Sequence, residues 1–192
     1  MILPLVFIRH GETDWNRELR FQGQRDIPLN EIGRRQAARN GSAVAGILAA
    51  QDWRLIASPL GRSLETMRIV LTAAGQPDRP FEIEPALVEA HYGEWEGMTL
   101  ADIGAKYPEA IKAREADKWG HAPPRGESYS MLSERVAIWL KTLSAPVFIV
   151  AHGGILRALI HQLAGSPPHN APHLAVPQDR AILFTRRQVL TI

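Results

Sequence analysis

Two apolar runs in this chain stop at a histidine followed at once by glycine, and that repeated ending constrains the fold most. Leu5-Val6-Phe7-Ile8 runs into Arg9-His10-Gly11-Glu12-Thr13, and Val147-Phe148-Ile149-Val150-Ala151 runs into His152-Gly153-Gly154. Short apolar runs rich in β-favouring residues, cut off by charge or glycine, read as buried strands. A third run, Arg54-Leu55-Ile56-Ala57-Ser58, is stopped by Pro59. Between these runs the apolar spacing turns helical. Asn30 is placed to cap a helix carrying Ile32, Ala37, Val44, Ile47 and Leu48, and Leu60, Leu64, Met67, Leu71 and Ala74 mark a second. Leu132, Val136 and Leu140 mark another, and Ile155, Leu159 and Leu163 one more. Strands alternating with helices predict an α/β fold, a three-layer α/β/α sandwich around a largely parallel sheet. Parallel neighbours then bring both histidines to one rim, outside the carboxyl ends of the strands, where ligands collect.

The remaining stretches are less regular. Residues 14–29 read as a polar, irregular loop that folds back near the first strand's end. Gly33 and Gly41 weaken the first long helix, and close packing against the sheet is the expected reason for them. Residues 81–87 read as a strand, and residues 181–185 and 188–192 as two short ones after a proline-rich loop. Residues 98–130 carry no strong core pattern and contain Pro108, Pro123 and Pro124; they are expected to form a helical, lid-like excursion. At 192 residues the chain suits one domain spanning residues 1–192.

The polar residues at the rim suggest anion chemistry. Arg9 offers a planar fork for a phosphate or carboxylate, and His10 can serve as base, nucleophile or metal ligand. Arg62 falls in the first turn of a helix, where its guanidinium and free backbone N–H groups could face the same anion, although it could also pair with Glu65. Glu89 reaches the rim if its strand joins the sheet, with Glu94 and Glu96 as nearby competitors. His91, His161, His169 and His173 lack metal-ligand spacing, so no metal site is expected. Trp95, Tyr107, Trp119 and His121 either line a lid or fill local core, and core is expected for at least two.

Taken together, these segments resemble the signature blocks of the histidine phosphatase superfamily, the phosphoglycerate mutase-like family. Arg9-His10-Gly11-Glu12-Thr13 with Trp15-Asn16 is similar to the first block, and Ser58-Pro59-Leu60-Gly61-Arg62 to the second. Leu87-Val88-Glu89 with Gly93-Glu94-Trp95-Glu96-Gly97 is similar to the third, and Ala151-His152-Gly153-Gly154 to the fourth, in the family's order. The resemblance implies a phosphoglycerate mutase-like fold and a phosphohistidine on His10. It also implies that Arg9, Arg62 and His152 hold the phosphoryl oxygens and that Glu89 is the general acid. Asn16, Thr13, Gln22, Gly23, Tyr92 and Gly153 are the candidate substrate contacts.

The expected activity is metal-independent hydrolysis of a small phosphorylated metabolite, with no cofactor. The rival is a phosphoglycerate mutase, which would use 2,3-bisphosphoglycerate; the family's mutases are similar to this chain at Glu89, His91 and Tyr92. They also carry an adjacent arginine pair in a longer segment, whereas Arg114 and Arg125 stand apart here. A phosphate-binding protein without turnover is the reading from another class, but a pure binder needs no nucleophile. The net charge of +2 is too small, and the 18 arginines too scattered, for a nucleic-acid partner. No membrane association is expected, and oligomeric state is not legible. With no cysteine and no signal-peptide pattern, the expected location is cytoplasmic.

Overall fold

The computed structural model describes residues 3–186 and 188–192. Six strands, β1 (Leu5–Arg9), β2 (Arg54–Ala57), β3 (Glu82–Ile83), β4 (Val147–Ala151), β5 (Ala181–Phe184) and β6 (Val189–Thr191), make one sheet in the order β3-β2-β4-β1-β5-β6. The four strands β3, β2, β4 and β1 run parallel, while β5 and β6 add an antiparallel edge. The helices are α1 (Asp14–Arg17), α2 (Glu31–Ala50), α3 (Gly61–Ala73), α4 (Leu100–Lys106), α5 (Pro108–Ala116), α6 (Tyr129–Leu140) and α7 (Gly153–Ala164).

The alternation of side chains along a strand divides the core into two. Leu5 and Phe7 of β1 face α6 and α7, packing with Leu132, Val136, Ile155 and Leu159. Val6 and Ile8 face the other way, against Val44 and Leu48 of α2 and Met67, Val70 and Leu71 of α3. The result is the α/β/α sandwich expected from the alternating pattern. Phe7 and Phe148 are fully buried on opposite faces; truncating either to alanine should cost about 3–5 kcal/mol.

The structure departs from the sequence reading in three places, each for a local reason. The strand expected over residues 81–87 is only Glu82–Ile83, after which Pro85–Leu87 forms a 3-10 turn. Pro85 has no N–H for a ladder, and the Glu84 carboxylate accepts from Ala86 N at 2.8 Å, capping the turn. Residues 14–17 are helical rather than irregular, because Thr13 and Asn16 form a reciprocal cap at the helix start. Neither glycine of α2 is needed against the sheet: a Cβ on Gly41 would strike Val70 and Ala73 of α3, while one on Gly33 would strike the Glu12 backbone in the turn after His10, and one on Gly11 the Gly33 carbonyl. That mutual approach locks the start of α2 onto the His10 turn.

Residues 98–130 contain two short helices, α4 and α5, broken at Pro108. Only Ile103 of these two helices is buried, which is why no core pattern shows in the sequence. Trp95 is fully buried and Trp119 packs against the core. Among the described residues no helix is long and apolar enough to cross a membrane.

Candidate active site

The β1–β4 ladder places the two histidines side by side. Arg9 is in register with Ala151, and His10 N donates to Ala151 O at 2.9 Å, so the residues that follow each strand leave the sheet together. The His10 and His152 rings are 5.1 Å apart, tilted by 59°. On the far side of β4, Ser58 N donates to Val150 O at 3.0 Å, which brings the end of β2 to the same rim.

Hydrogen bonds fix what each imidazole offers. His10 Nδ1 lies 2.8 Å from Gly11 O. A carbonyl only accepts, so Nδ1 carries the proton and Nε2 keeps its lone pair. His152 Nε2 lies 2.6 Å from Ser58 Oγ and 3.3 Å from Ser63 Oγ, while its Nδ1 is buried without a partner. Burial holds both rings well below the ordinary histidine range, and Arg62 and Arg9 push the same way. Both rings are therefore neutral at pH 7, and His10 Nε2 keeps an unshared lone pair.

The arginines are held by backbone carbonyls and keep donors in reserve. Arg62, only 1% exposed, donates to Arg25 O at 2.5 Å and to Gly23 O at 2.7 Å. It does not pair with Glu65, which is bound by Arg34 at 2.7 Å. Arg9 donates from Nη1 to Val176 O at 2.7 Å. Burial pushes its pKa down to about 10, with Glu89 opposing the shift, and this leaves it charged at neutral pH. Among the described residues, Arg9 Nε, Arg62 Nε and His152 Nδ1 are all buried with no hydrogen-bond partner. Unsatisfied buried polar atoms are costly, and two charged donors with a third open nitrogen around one imidazole suit a site built for an anion. The start of α3 does not add to it: Asp26 already accepts from Gly61 N at 2.8 Å and from Arg62 N at 3.4 Å.

A cavity of about 120 Å³ opens on Arg9, His10 and Arg62, lined also by Asn16, Gln22, Gly23, Glu89, Tyr92 and Gly153 and by three further residues; His152, fully buried beside His10, is not part of its wall. Glu89 is the carboxylate that reaches it. Oε1 accepts from Ala90 N at 2.9 Å and from Gly154 N at 3.1 Å, and a Cβ on Gly154 would collide with that carboxylate. Glu94 is drawn off to Tyr107 and Arg125, and Glu96 clasps two loops, accepting from Gln24 N and Tyr92 N. Asn16 Oδ1 accepts from Gln178 Nε2 at 3.0 Å. Burial, with Tyr129 and Glu89, lifts the Tyr92 phenol well above its ordinary range, so it stays a neutral donor. Thr13 is a correction: it is buried outside the cavity wall, its hydroxyl capping α1.

Arg20, Phe21 and Arg157 complete the lining. Arg157 follows His152 by five residues and donates to Tyr129 Oη and Leu174 O, both at 3.1 Å. The sequence signal for it was a lone arginine inside an apolar helix directly after His-Gly-Gly. Gln178, which also donates to His10 O at 3.1 Å, comes from the loop before β5 and carried no such signal. Four arginines thus face one carboxylate around the cavity. Among the described residues no cluster of three or more histidine, aspartate or glutamate side chains is arranged to hold a metal ion.

The histidine phosphatase superfamily (branch 1) matches residues 5–186, and the chain belongs to that family. It is 34% identical over 187 residues to the 2,3-bisphosphoglycerate-dependent phosphoglycerate mutase 2 of Gloeobacter violaceus, an alignment covering 94% of this chain and 84% of the relative. It is 36% identical over 184 residues to the glucosyl-3-phosphoglycerate phosphatase of Mycolicibacterium vanbaalenii, covering 88% of this chain and 78% of the relative. Among solved structures, a putative alpha-ribazole-5'-P phosphatase from Escherichia coli superposes with a TM-score of 0.81 at 29% identity, covering 100% of this chain and 95% of that one. A mycobacterial glucosyl-3-phosphoglycerate phosphatase complexed with VO3 superposes with a TM-score of 0.77 at 32% identity, covering 95% and 92%. Relatives of both activities therefore share this fold.

Proposed function

We propose that the chain is a phosphomonoesterase that hydrolyses a small phosphorylated metabolite through a phosphohistidine on His10. The observation that carries this reading is the set of three unpartnered buried nitrogens, the donors Arg9 Nε and Arg62 Nε together with His152 Nδ1, gathered around a neutral imidazole whose Nε2 is free. His10 Nε2 attacks phosphorus as the bond to the ester oxygen breaks, and Glu89 serves as the general acid that delivers a proton to that oxygen. Water then attacks the phosphohistidine, Glu89 takes a proton from it, and the P–N bond breaks to release phosphate and restore the imidazole. Phosphoryl transfer needs positioning and charge stabilisation more than covalent chemistry, and the arginines supply both. The scheme uses no metal and no cofactor. It suits a soluble metabolite in the cytoplasm.

A mutase would pass the same phosphoryl group to a substrate hydroxyl, and the mutase relative together with Glu89, His91 and Tyr92 favours that alternative. Arg114 and Arg125 speak against it. Arg114 lies over the Phe21 ring at 5.7 Å, Arg125 is 3.6 Å from Glu94, and neither lines the cavity. The test is an alkaline quench during turnover, which should trap an acid-labile phosphoenzyme that His10→Ala fails to form. The same substitution should lower turnover by at least about 10⁴-fold. Phosphate release from several esters should exceed conversion of 3- to 2-phosphoglycerate, with or without 2,3-bisphosphoglycerate. Efficient conversion that depends on the bisphosphate, with little phosphate released, would instead establish the mutase.

A further inference from the structure

The cavity at His10 continues outward. A second cavity of about 410 Å³ shares Arg9, Asn16, Arg20 and Phe21 with the first and adds Leu19, Leu100 and Gln178. The inner space, about 120 Å³ and ringed by arginines, takes little more than a phosphoryl group. The outer one is several times larger, and its added wall is mainly apolar.

Leu19 and Leu100 are unusual there. They are 80% and 52% exposed, among the few large apolar side chains left open to water. Leu19 also has a left-handed backbone, φ +58°, a conformation that favours glycine. Leu19 stands just past the end of α1, where Arg20 N also donates to Trp15 O at 2.9 Å and a left-handed residue closes the helix. Further contacts hold the turn. Leu19 N donates to Asn16 O at 3.1 Å, Arg20 Nη1 to Gly97 O at 2.7 Å and Phe21 N to Met98 O at 2.9 Å. A strained, tied-down leucine beside an exposed one, both on a cavity that opens from the phosphate site, is a surface made to meet something apolar.

We propose that the outer cavity is the leaving-group subsite and that the substrate is a phosphomonoester of an alcohol with an aromatic or alkyl face. Leu19, Phe21 and Leu100 receive that face, and Arg20 sits at the junction with the phosphate end. This rests on the phosphatase reading for the direction of the ester and names the substrate class it left open.

The test is calorimetric binding of two unreactive probes, 2-phenylethylphosphonate and ethylphosphonate, which share the anionic end. The wild-type protein should bind the phenyl probe at least about tenfold more tightly, the factor expected from covering about 60 Å² of ring. In the double variant Leu19→Gly/Leu100→Ser that ratio should fall to within about threefold of unity. Glycine suits the left-handed backbone at position 19, so the fold should survive, and a melting curve checks it. A ratio near unity in the wild-type protein, or one unchanged in the variant, overturns the subsite. Phosphate release from 2-phenylethyl phosphate is measured separately. An intact affinity ratio with no release from any ester would sink the phosphatase reading and uphold the subsite.

Discussion

The His10 cavity has two walls built by different means. One comes from the sheet: Arg9 ends β1, His10 and His152 follow the ends of the adjacent parallel strands β1 and β4, and Arg62 follows a third strand, β2, at the start of α3. The other comes from loops: Asn16 to Gly23 on one side, and Glu89 with Tyr92 on the other. The sheet wall is set by ladder register and buried carbonyl contacts. The loop wall is set by a clasp, with Glu96 Oε1 accepting from Gln24 N at 3.0 Å and Tyr92 N at 3.2 Å, and Gln24 Nε2 donating to Glu89 O at 3.1 Å. On the proposed reading, the groups that would hold a phosphoryl centre sit on the sheet wall, and most of those that would meet the alcohol sit on the loop wall.

Arg62 is where the walls are tied together, so its loss should do the most damage to that division. It stands on α3 but donates to Gly23 O and Arg25 O in the loop. Arg62→Met removes the proposed phosphate contact and releases the loop at once. The expected loss is about 10³-fold or more in kcat/KM. Stability should fall by about 1–3 kcal/mol, since the buried Gly23 carbonyl and the partly buried Arg25 carbonyl lose a charged donor. A phosphate-release assay and a melting curve measure the two effects. A variant within tenfold of the wild-type enzyme would show that the loop wall stands without its tie.

Glu89→Gln probes a loop group that leans on the sheet wall, since the carboxylate accepts from Gly154 N at 3.1 Å. The amide keeps the shape but cannot give a proton, so turnover of alkyl phosphates should fall by about 10²–10⁴-fold. An aryl phosphate, whose leaving group needs no proton, should lose much less. Equal losses on both esters would assign Glu89 to binding and move all the chemistry to the sheet wall.

The same division explains what could be read from the sequence. Strand ends announce themselves, because an apolar run stopped by charge survives in one dimension, and two such ends gave His10 and His152 together. The loop wall depends on contacts across long separations, such as Gln24 with Glu89 and Gln178 with Asn16, which leave no periodic trace. Thr13 was misplaced for a related reason. A hydroxyl beside an active histidine looks like a ligand group, but the Thr13 and Asn16 spacing is also that of a helix cap, and the cap prevails. Glu89 reached the rim although its strand was only two residues long, since the 3-10 turn at Pro85–Leu87 carried the chain there instead.

Acid should loosen the sheet wall. His10 and His152 have pKa values held well below the ordinary histidine value, by burial first and then by the nearby arginines. The unfolded chain titrates these rings near about 6.5 and so binds more protons than the folded one below that pH. Their contribution to stability is complete above about 6.5 and is lost as pH falls toward the folded values. Melting temperature should therefore decline with acid below about 6.5, and less steeply in His152→Asn. A wild-type slope no steeper than that of the variant would mean that the rings are already protonated in the native protein.

The smallest effect tests the finest adjustment in the sheet wall. Ser58 Oγ lies 2.6 Å from His152 Nε2, and the other hydroxyl, on Ser63, is at 3.3 Å. If Ser58 donates to Nε2, the ring proton must sit on Nδ1, the buried atom that has no protein partner and is left for a phosphoryl oxygen. Ser58 is thus a positioning residue, selecting the tautomer rather than touching substrate. Ser58→Ala leaves only the longer contact, so the ring spends part of its time with a lone pair facing the anion. One hydrogen bond's net worth, about 1 kcal/mol, corresponds to a loss of somewhat under tenfold in kcat/KM. A purely structural defect could produce that number, so the deciding measurement is the ¹⁵N shift of the His152 ring. The wild-type ring should show a protonated Nδ1 and the Ser58→Ala ring a mixture, with Ser58→Thr restoring both shift and rate. An unchanged shift in Ser58→Ala would mean that β2 serves the sheet wall only by presenting Arg62.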